Sequence, residues 1–429
     1  MSAPTALAPF PRDAHVVTDP APSVMTGLDP AIHPTTDARA LTMAGPRAGV
    51  DGRVRPGRAG GNVAAPIVIA AGGTGGHFFP AEALAAELIA RGHRIILMTD
   101  ARSAGLRSAV FADAQPIVLE GAGIAGRGVV RAARAVLALG KGVLRARRIL
   151  GTLRPAVVVG FGGYPAVGPV LGARLARPRP AILLHEQNGV LGRANRLLSR
   201  VADRLALGLA MTTRIPAGVV TEVTGNPVRP EIQALANAPY AAPTGTIRLL
   251  VLGGSLGARV FSDVVPPALV GLPAALRTRL SVTQQCRPED LERVRAAYDA
   301  AGITADLAPF FGDVADRLRD AHLVIARAGA SSVAELAVGG RPAILVPLPG
   351  AIDDHQSANA RSLAETGGAW LMPQPAFTPA ALTERLAALL SDPAALAHAA
   401  QAIRAAARPD AAARLADLVE AHMHQEARS

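Results

Sequence analysis

Apolar residues along this chain come in short unbroken runs, each closed by glycine or polar residues and followed by a stretch of helical spacing. The runs fall at 67–71, 94–99, 115–119, 156–159, 181–184 and 219–223, then at 247–252, 281–284, 305–308, 323–326 and 343–346. Four to six apolar residues without alternation mark strands buried on both faces, as in a parallel sheet covered by helices. Strand alternating with helix in both halves predicts an α/β chain of two Rossmann-like, doubly wound domains facing each other across a cleft. The divisions read from composition are an extension at 1–62, a first domain at 63–230, a Pro/Ala/Thr/Gly linker at 231–245, a second domain at 246–395, and a C-terminal helix and tail at 396–429.

The runs end in unusual turns. The first passes into Gly72, Gly73, Thr74, Gly75, Gly76 and His77, and the spacing predicts a helix from Pro80 with apolar residues at 84, 85 and 88. Glycines let a ligand approach the backbone, and the N-terminus of the helix beyond favours a phosphate. A neutral histidine in that turn can take a proton. The alternative is a tight connection with His77 simply packed. The spacing is not G-x-G-x-x-G, because Phe78 stands where the third glycine would fall, and no G-K-[ST] occurs. Asp100, at the end of the second strand, holds the place of a ribose-binding acid. Similar turns recur at 161–165, 253–259 and 327–335, and a polar cluster, His185 to Gly189, closes the fifth run. In open α/β sheets that carboxyl edge is where ligands bind.

Half of the residues are hydrophobic and only 3% aromatic, so Ala, Val and Leu must fill the cores. The single cysteine, Cys286, excludes an intramolecular disulfide, fits a reducing compartment, and reads as a small core residue. The net charge of +11 calls for an acidic partner: nucleic acid, anionic lipid or a phosphorylated substrate. Neither a secretory signal nor a bilayer-spanning run is visible, so the chain reads as soluble and cytoplasmic. Residues 1–62 are too rich in Pro, Gly, Asp and Arg to bury much apolar surface, and disorder is expected there. An upstream start codon wrongly chosen would account for that extension; peptides from residues 1–50 of the native protein would sink the idea. The segment 129–150 has helical period with Val129, Val136, Leu137, Leu139, Val143, Leu144 and Leu150 on one face. Arg131, Arg134, Lys141, Arg145 and Arg148 lie opposite, as in a helix resting on an anionic membrane or covering a core with a solvated basic face.

The chain resembles the MurG family of bacterial glycosyltransferases. The matching stretches are GGTGGHFFP at 72–80, GGYPAVGP at 162–169, HEQNGVLGRAN at 185–195, GNPVR at 225–229, GGSLGA at 253–258, ARAGASSVAE at 326–335 and DDHQSANA at 353–360. The resemblance spans about 63–420. It implies a GT-B fold and inverting transfer of GlcNAc from UDP-GlcNAc to the 4-hydroxyl of MurNAc in undecaprenyl-linked lipid I, giving lipid II and UDP.

By the same resemblance, Thr74, Gly75, His77 and Tyr164 would hold the acceptor, although Tyr164 also reads as a packing residue. Donor contacts would come from Thr74, Gly75, Gly76, Asn188, Arg229, Ser255, the backbone at Phe311, Ala330, Ser331, Ser332, Val333, Ala334, Glu335 and Gln356. Asn359 would read the sugar hydroxyls beside Gln356, and His355 stands where the family often has a glutamine. His77 is the favoured base, with Glu186 as its competitor or orienter, and His185 is read as structural. No metal and no cofactor are expected. The resemblance further implies a peripheral place on the cytoplasmic face of the inner membrane, with contact through Val129, Val136, Leu137, Val143, Leu144, Arg131, Arg134 and Lys141. It also implies meetings with other cell-wall synthesis or division proteins, and no nucleic acid.

Competing readings are a GT-B transferase acting on diacylglycerol and a nicotinamide enzyme, whose glycine fingerprint is missing. A nucleic-acid binder is the third, and it lacks aromatic stacking clusters.

Overall fold

The computed structural model describes residues 65–72, 75–100, 108, 110–111, 116–119, 129–254 and 257–423, the side chains of 129–135 excepted. The extension 1–62, Thr74, Ser255 and the end 426–429 lie outside the described residues, as do the side chains of Val129, Arg131 and Arg134.

Two parallel sheets carry the chain. The first contains β1 (Ile67–Ala70), β2 (Ile95–Asp100), β3 (Ile117–Leu119), β4 (Val157–Gly160), β5 (Ala181–Glu186), β6 (Arg204–Leu207) and β7 (Thr221–Val223). Their order is β3-β2-β1-β4-β5-β6-β7. The second contains β8 (Ile247–Leu252), β9 (Leu280–Gln285), β10 (Thr304–Ala308), β11 (Leu323–Ala326), β12 (Ala343–Leu345) and β13 (Ala369–Leu371). Its order, β10-β9-β8-β11-β12-β13, repeats the doubly wound pattern. Strands β1, β4, β5 and β11 are buried at every residue, which is why they read as unbroken apolar runs. The two-domain α/β fold class expected from the sequence holds. Strands β6 and β13 escaped the sequence reading.

Among the described residues the first six helices in chain order are α1 (Gly75–Ala90), α2 (Val129–Leu153), α3 (Gly163–Leu175), α4 (Arg193–Leu198), α5 (Pro230–Gln233) and α6 (Arg259–Val270). Helix α1 begins five residues ahead of the expected Pro80, although that proline forfeits one helical hydrogen bond. Phe78 explains the early start: it is buried, edge-on to Phe111 at 5.9 Å, and pins the first turn to the sheet. His77 therefore sits on a helix end instead of in a loop.

Helix α2 corrects one of the expected membrane contacts. Val143 is buried, as are Ala146 and Leu150, which join a core of the first half, whereas Val136, Leu137 and Leu144 stand outward on the same helix as the exposed Lys141, Arg145 and Arg148. The cause is close contact with α3, where a Cβ on Gly172 would lie 2.7 Å from Ala146 Cβ. The stretch read as a linker is seated on the second half, with α5 running into it from Pro230 and Ile232 and Leu235 buried among Val324, Val333 and Leu336. The last described helix, Ala411–Met423, returns to the first half. It buries Leu415, Ala416 and Val419 with Ile67, Leu84 and Val159, and Arg91 bonds Asp417 at 2.6 Å and Glu420 at 2.8 Å.

Candidate active site

Each sheet reverses its winding between two adjacent strands, β1 and β4 in the first and β8 and β11 in the second. Connections leaving such a pair diverge to opposite faces and open a crevice at the strands' carboxyl ends. All four glycine turns lie there. In the first half, Gly162 (φ 81°) and Gly163 (φ 65°) follow β4 in left-handed conformations that suit glycine. A Cβ on Gly163 would stand 3.2 Å from His77 Cδ2 and 3.4 Å from Nε2, so the turn leaves space for that ring.

Behind His77 lies a row of polar side chains from the end of β5. His77 Nδ1 is 3.0 Å from Gln187 Oε1. Gln187 Nε2 lies 3.1 Å from Phe161 O and 3.1 Å from His185 Nδ1, and His185 Nε2 lies 2.9 Å from Gly225 O. His185 is fully buried, and desolvation pushes its pKa down from 6.5 to about 4 despite the Gly225 carbonyl and Glu186. The ring is neutral at pH 7.

A stability effect arises from that shift. Between pH 6.5 and about 4 the unfolded chain takes up a proton at His185 that the folded chain refuses, so stability falls with pH across this window. The loss from this group is about 3 kcal/mol at its full extent. Glu335, whose carboxyl is lifted by burial against the pull of Arg229, works in the opposite sense in acid. Titration of the His185 ring resonances checks the assignment; protonation near neutrality would refute it.

Glu186 is also enclosed, at 1% exposure. Its Oε1 accepts from Asn188 N at 3.1 Å and Asn188 Nδ2 at 3.0 Å, and its Oε2 accepts from Gly192 N at 2.9 Å and Asn195 Nδ2 at 3.0 Å. Four donors fill the four lone-pair positions of a carboxylate. The group holds the 186–195 turn in shape. Tyr164 lines a small cavity beneath α2 with Thr99, Asp100, Leu139 and Gly142.

In the second half, Gly253 cannot carry a side chain, because a Cβ would fall 2.3 Å from Ala258 N. Gln285, at the end of β9, braces this turn: Oε1 accepts from Gly253 N at 3.0 Å, and Nε2 donates to Gly254 O at 3.0 Å. The helix Ala330–Gly339 opens directly after β11, with Gly329 as its N-cap. Ala330 and Val333 are buried in it, Ser331, Ser332 and Ala334 are half-buried, and Ser331 Oγ has no partner among the described residues. Glu335 Oε1 receives Arg229 Nη2 at 3.2 Å, and the same guanidinium lies 5.3 Å from the Phe79 ring centre. Arg229 thus touches both halves. Phe311 is buried, with the Arg317 guanidinium 4.1 Å from its ring centre. Gln356 Oε1 accepts from Leu348 N at 2.9 Å, and His355 Nδ1 lies 2.8 Å from Ile352 O.

Asn359 departs from its expected sugar-reading role. It is fully buried, and its Oδ1 accepts from Gly189 N at 2.8 Å while its Nδ2 donates to Asn188 Oδ1 at 3.1 Å and Ala328 O at 3.0 Å. It joins the two halves. Asp353 does likewise, meeting Arg214 at 2.7 Å, Arg196 at 3.2 Å and Arg193 at 3.6 Å, and the Arg214 hydrogen bond holds its carboxyl below the usual range. The roles of Gln187, Gln285 and Asp353 went unread in the sequence. The one signal for Gln187 and Gln285 was a polar residue at the end of an apolar run.

The glycosyltransferase family 28 N-terminal domain matches residues 67–207, and the family 28 C-terminal domain matches 248–415. The chain belongs to glycosyltransferase family 28. Relatives within it are named UDP-N-acetylglucosamine--N-acetylmuramyl-(pentapeptide) pyrophosphoryl-undecaprenol N-acetylglucosamine transferase. That of Granulibacter bethesdensis is 64% identical over 83% of this chain and 93% of its own, and that of Gluconobacter oxydans 54% identical over 83% and 98%. The crystal structure of Acinetobacter baumannii MurG is similar at 32% identity and a TM-score of 0.68, covering 83% of this chain and 99% of that one. This family 28 chain has the MurG resemblance expected from its motifs, and both of its sheets fall inside the matched spans apart from the short β7 and the first residue of β8.

Proposed function

We propose that this chain transfers GlcNAc from UDP-GlcNAc to the MurNAc 4-hydroxyl of undecaprenyl-linked lipid I, forming lipid II and UDP. The observation that carries this reading is the pair of glycine turns at the two switch points, one holding His77 and the other opening the Ala330–Gly339 helix toward Arg229 and Glu335. His77 Nε2 takes the proton of the acceptor hydroxyl as that oxygen attacks the sugar's anomeric carbon. The bond from that carbon to the UDP oxygen breaks on the opposite face, so the configuration inverts. The departing diphosphate is stabilised by Arg229 and by helix N-termini, with no resident cofactor in the balance.

In this reading Thr74, Gly75 and Tyr164 receive the acceptor, and Gly76, Asn188, Ser255, the Phe311 backbone, residues 330–335 and Gln356 receive the donor. Glu186 acts as orienter, because its oxygens are already filled. UDP release from UDP-GlcNAc, with and without a short-chain lipid I analogue and with diacylglycerol, tests the assignment. Release on diacylglycerol alone would give the site to the other acceptor class.

The same reading places the enzyme on the cytoplasmic face of the membrane. Support comes from α2, where Val136 and Leu137 are each 66% exposed and Leu144 is 51% exposed, among Lys141, Arg145 and Arg148. No helix among the described residues is long and apolar enough to cross a membrane, so contact would be peripheral. Changing Val136, Leu137 and Leu144 together to Ser should weaken sedimentation with anionic vesicles about tenfold or more. Unchanged sedimentation of the folded variant would remove α2 from the contact. Partners among other cell-wall synthesis or division proteins would meet the enzyme on that surface.

A further inference from the structure

We propose that Gln187, backed by His185, is a positioning residue that sets the tautomer of His77, with Nδ1 protonated and Nε2 bare toward the acceptor. The proposal rests on the reading of His77 as the base. The row of hydrogen bonds begins at a backbone carbonyl, which only accepts. His185 Nε2, 2.9 Å from Gly225 O, must carry the hydrogen. A neutral ring then has a lone pair on Nδ1, so the Gln187 atom 3.1 Å away must be the donating amide nitrogen. Phe161 O at 3.1 Å and His185 O at 3.3 Å, both acceptors, surround the same nitrogen and demand the same orientation.

Gln187 Oε1 is thereby turned to His77, and an amide oxygen accepts only. His77 Nδ1, at 3.0 Å, must donate. A histidine's reactive nitrogen is set by the bond that its other nitrogen makes. The Nε2 edge, beside the open Gly163, is left to take a proton. When His77 becomes charged, the Gln187 oxygen still accepts from Nδ1, so the relay serves both protonation states. It moves no proton itself.

The test is nitrogen NMR of the full chain labelled at histidine, with His77 identified through His77→Gln. We expect protonated Nδ1 and bare Nε2 in the native protein. Gln187→Met should shift His77 to the opposite tautomer and cut acceptor-dependent turnover on the order of a hundredfold, with donor binding retained. Gln187→Glu, carrying its proton on the oxygen that faces Phe161 O and His185 Nδ1, keeps an acceptor oxygen toward His77 Nδ1, so it should preserve the tautomer and guards against a general packing effect. A native ring protonated on Nε2, or an unchanged tautomer in folded Gln187→Met, overturns the relay. A switched tautomer with full turnover would overturn instead the assignment of His77 as base.

Discussion

Replacing His77 by alanine should leave folding and donor binding nearly intact while acceptor-dependent UDP release falls by roughly a hundredfold or more. The side chain is half-buried on the first turn of α1, outside the hydrophobic cores, and alanine is the best helix former. Its hydrogen bond to Gln187 is worth about 1 kcal/mol, too little to unfold two domains. The donor side of the cleft, with Arg229 and Glu335 paired, is built without it. What the variant loses is the proton acceptor beside Gly163. Single-turnover UDP release alongside donor titration separates the two effects. A variant that keeps nearly full activity would move the base to another group.

How much of this site could be read from the amino acids depended on the range of each signal. Strands β1 and β11 were legible because burial on both faces writes a local apolar run. Glycine turns were legible because a left-handed φ or a missing Cβ narrows the choice of residue, as at Gly163 and Gly253. His77 and Glu335 stood inside those turns. The partners were hidden: Gln187 meets His77 across 110 residues and Asn359 meets Gly189 across 170. Local periodicity carries nothing about such pairs. The inward turn of Val143 was lost for a related reason, since the outer face of α2 mixes apolar and basic residues and only contact with α3 decides which stripe is buried. The start of α1 was misplaced because Pro80 is a strong local stop signal, and the tertiary burial of Phe78 overrides it.

Glu186→Gln should destabilise the fold by about 3 kcal/mol and reduce turnover together with it. An amide offers one acceptor oxygen where the carboxylate used two, and its NH2 must then face donors. If the NH2 replaces Oε1 it meets Asn188 N and Nδ2. Turning the Asn188 amide over would relieve this, but its oxygen already receives Asn359 from the other half. If the NH2 replaces Oε2 it meets Gly192 N, a backbone donor that cannot turn, and Asn195 Nδ2, which also serves His185 O. Either arrangement leaves buried donors unpaired and loosens the turn bearing Gln187 and Asn188. Had Glu186 been the base, the same variant would lose turnover even in the molecules that stay folded, since a neutral amide cannot take the hydroxyl proton. Urea unfolding beside UDP release therefore discriminates the roles. A drop in stability with measurable turnover left in the folded molecules favours the orienter, and turnover abolished in the fully folded variant would hand proton abstraction to Glu186.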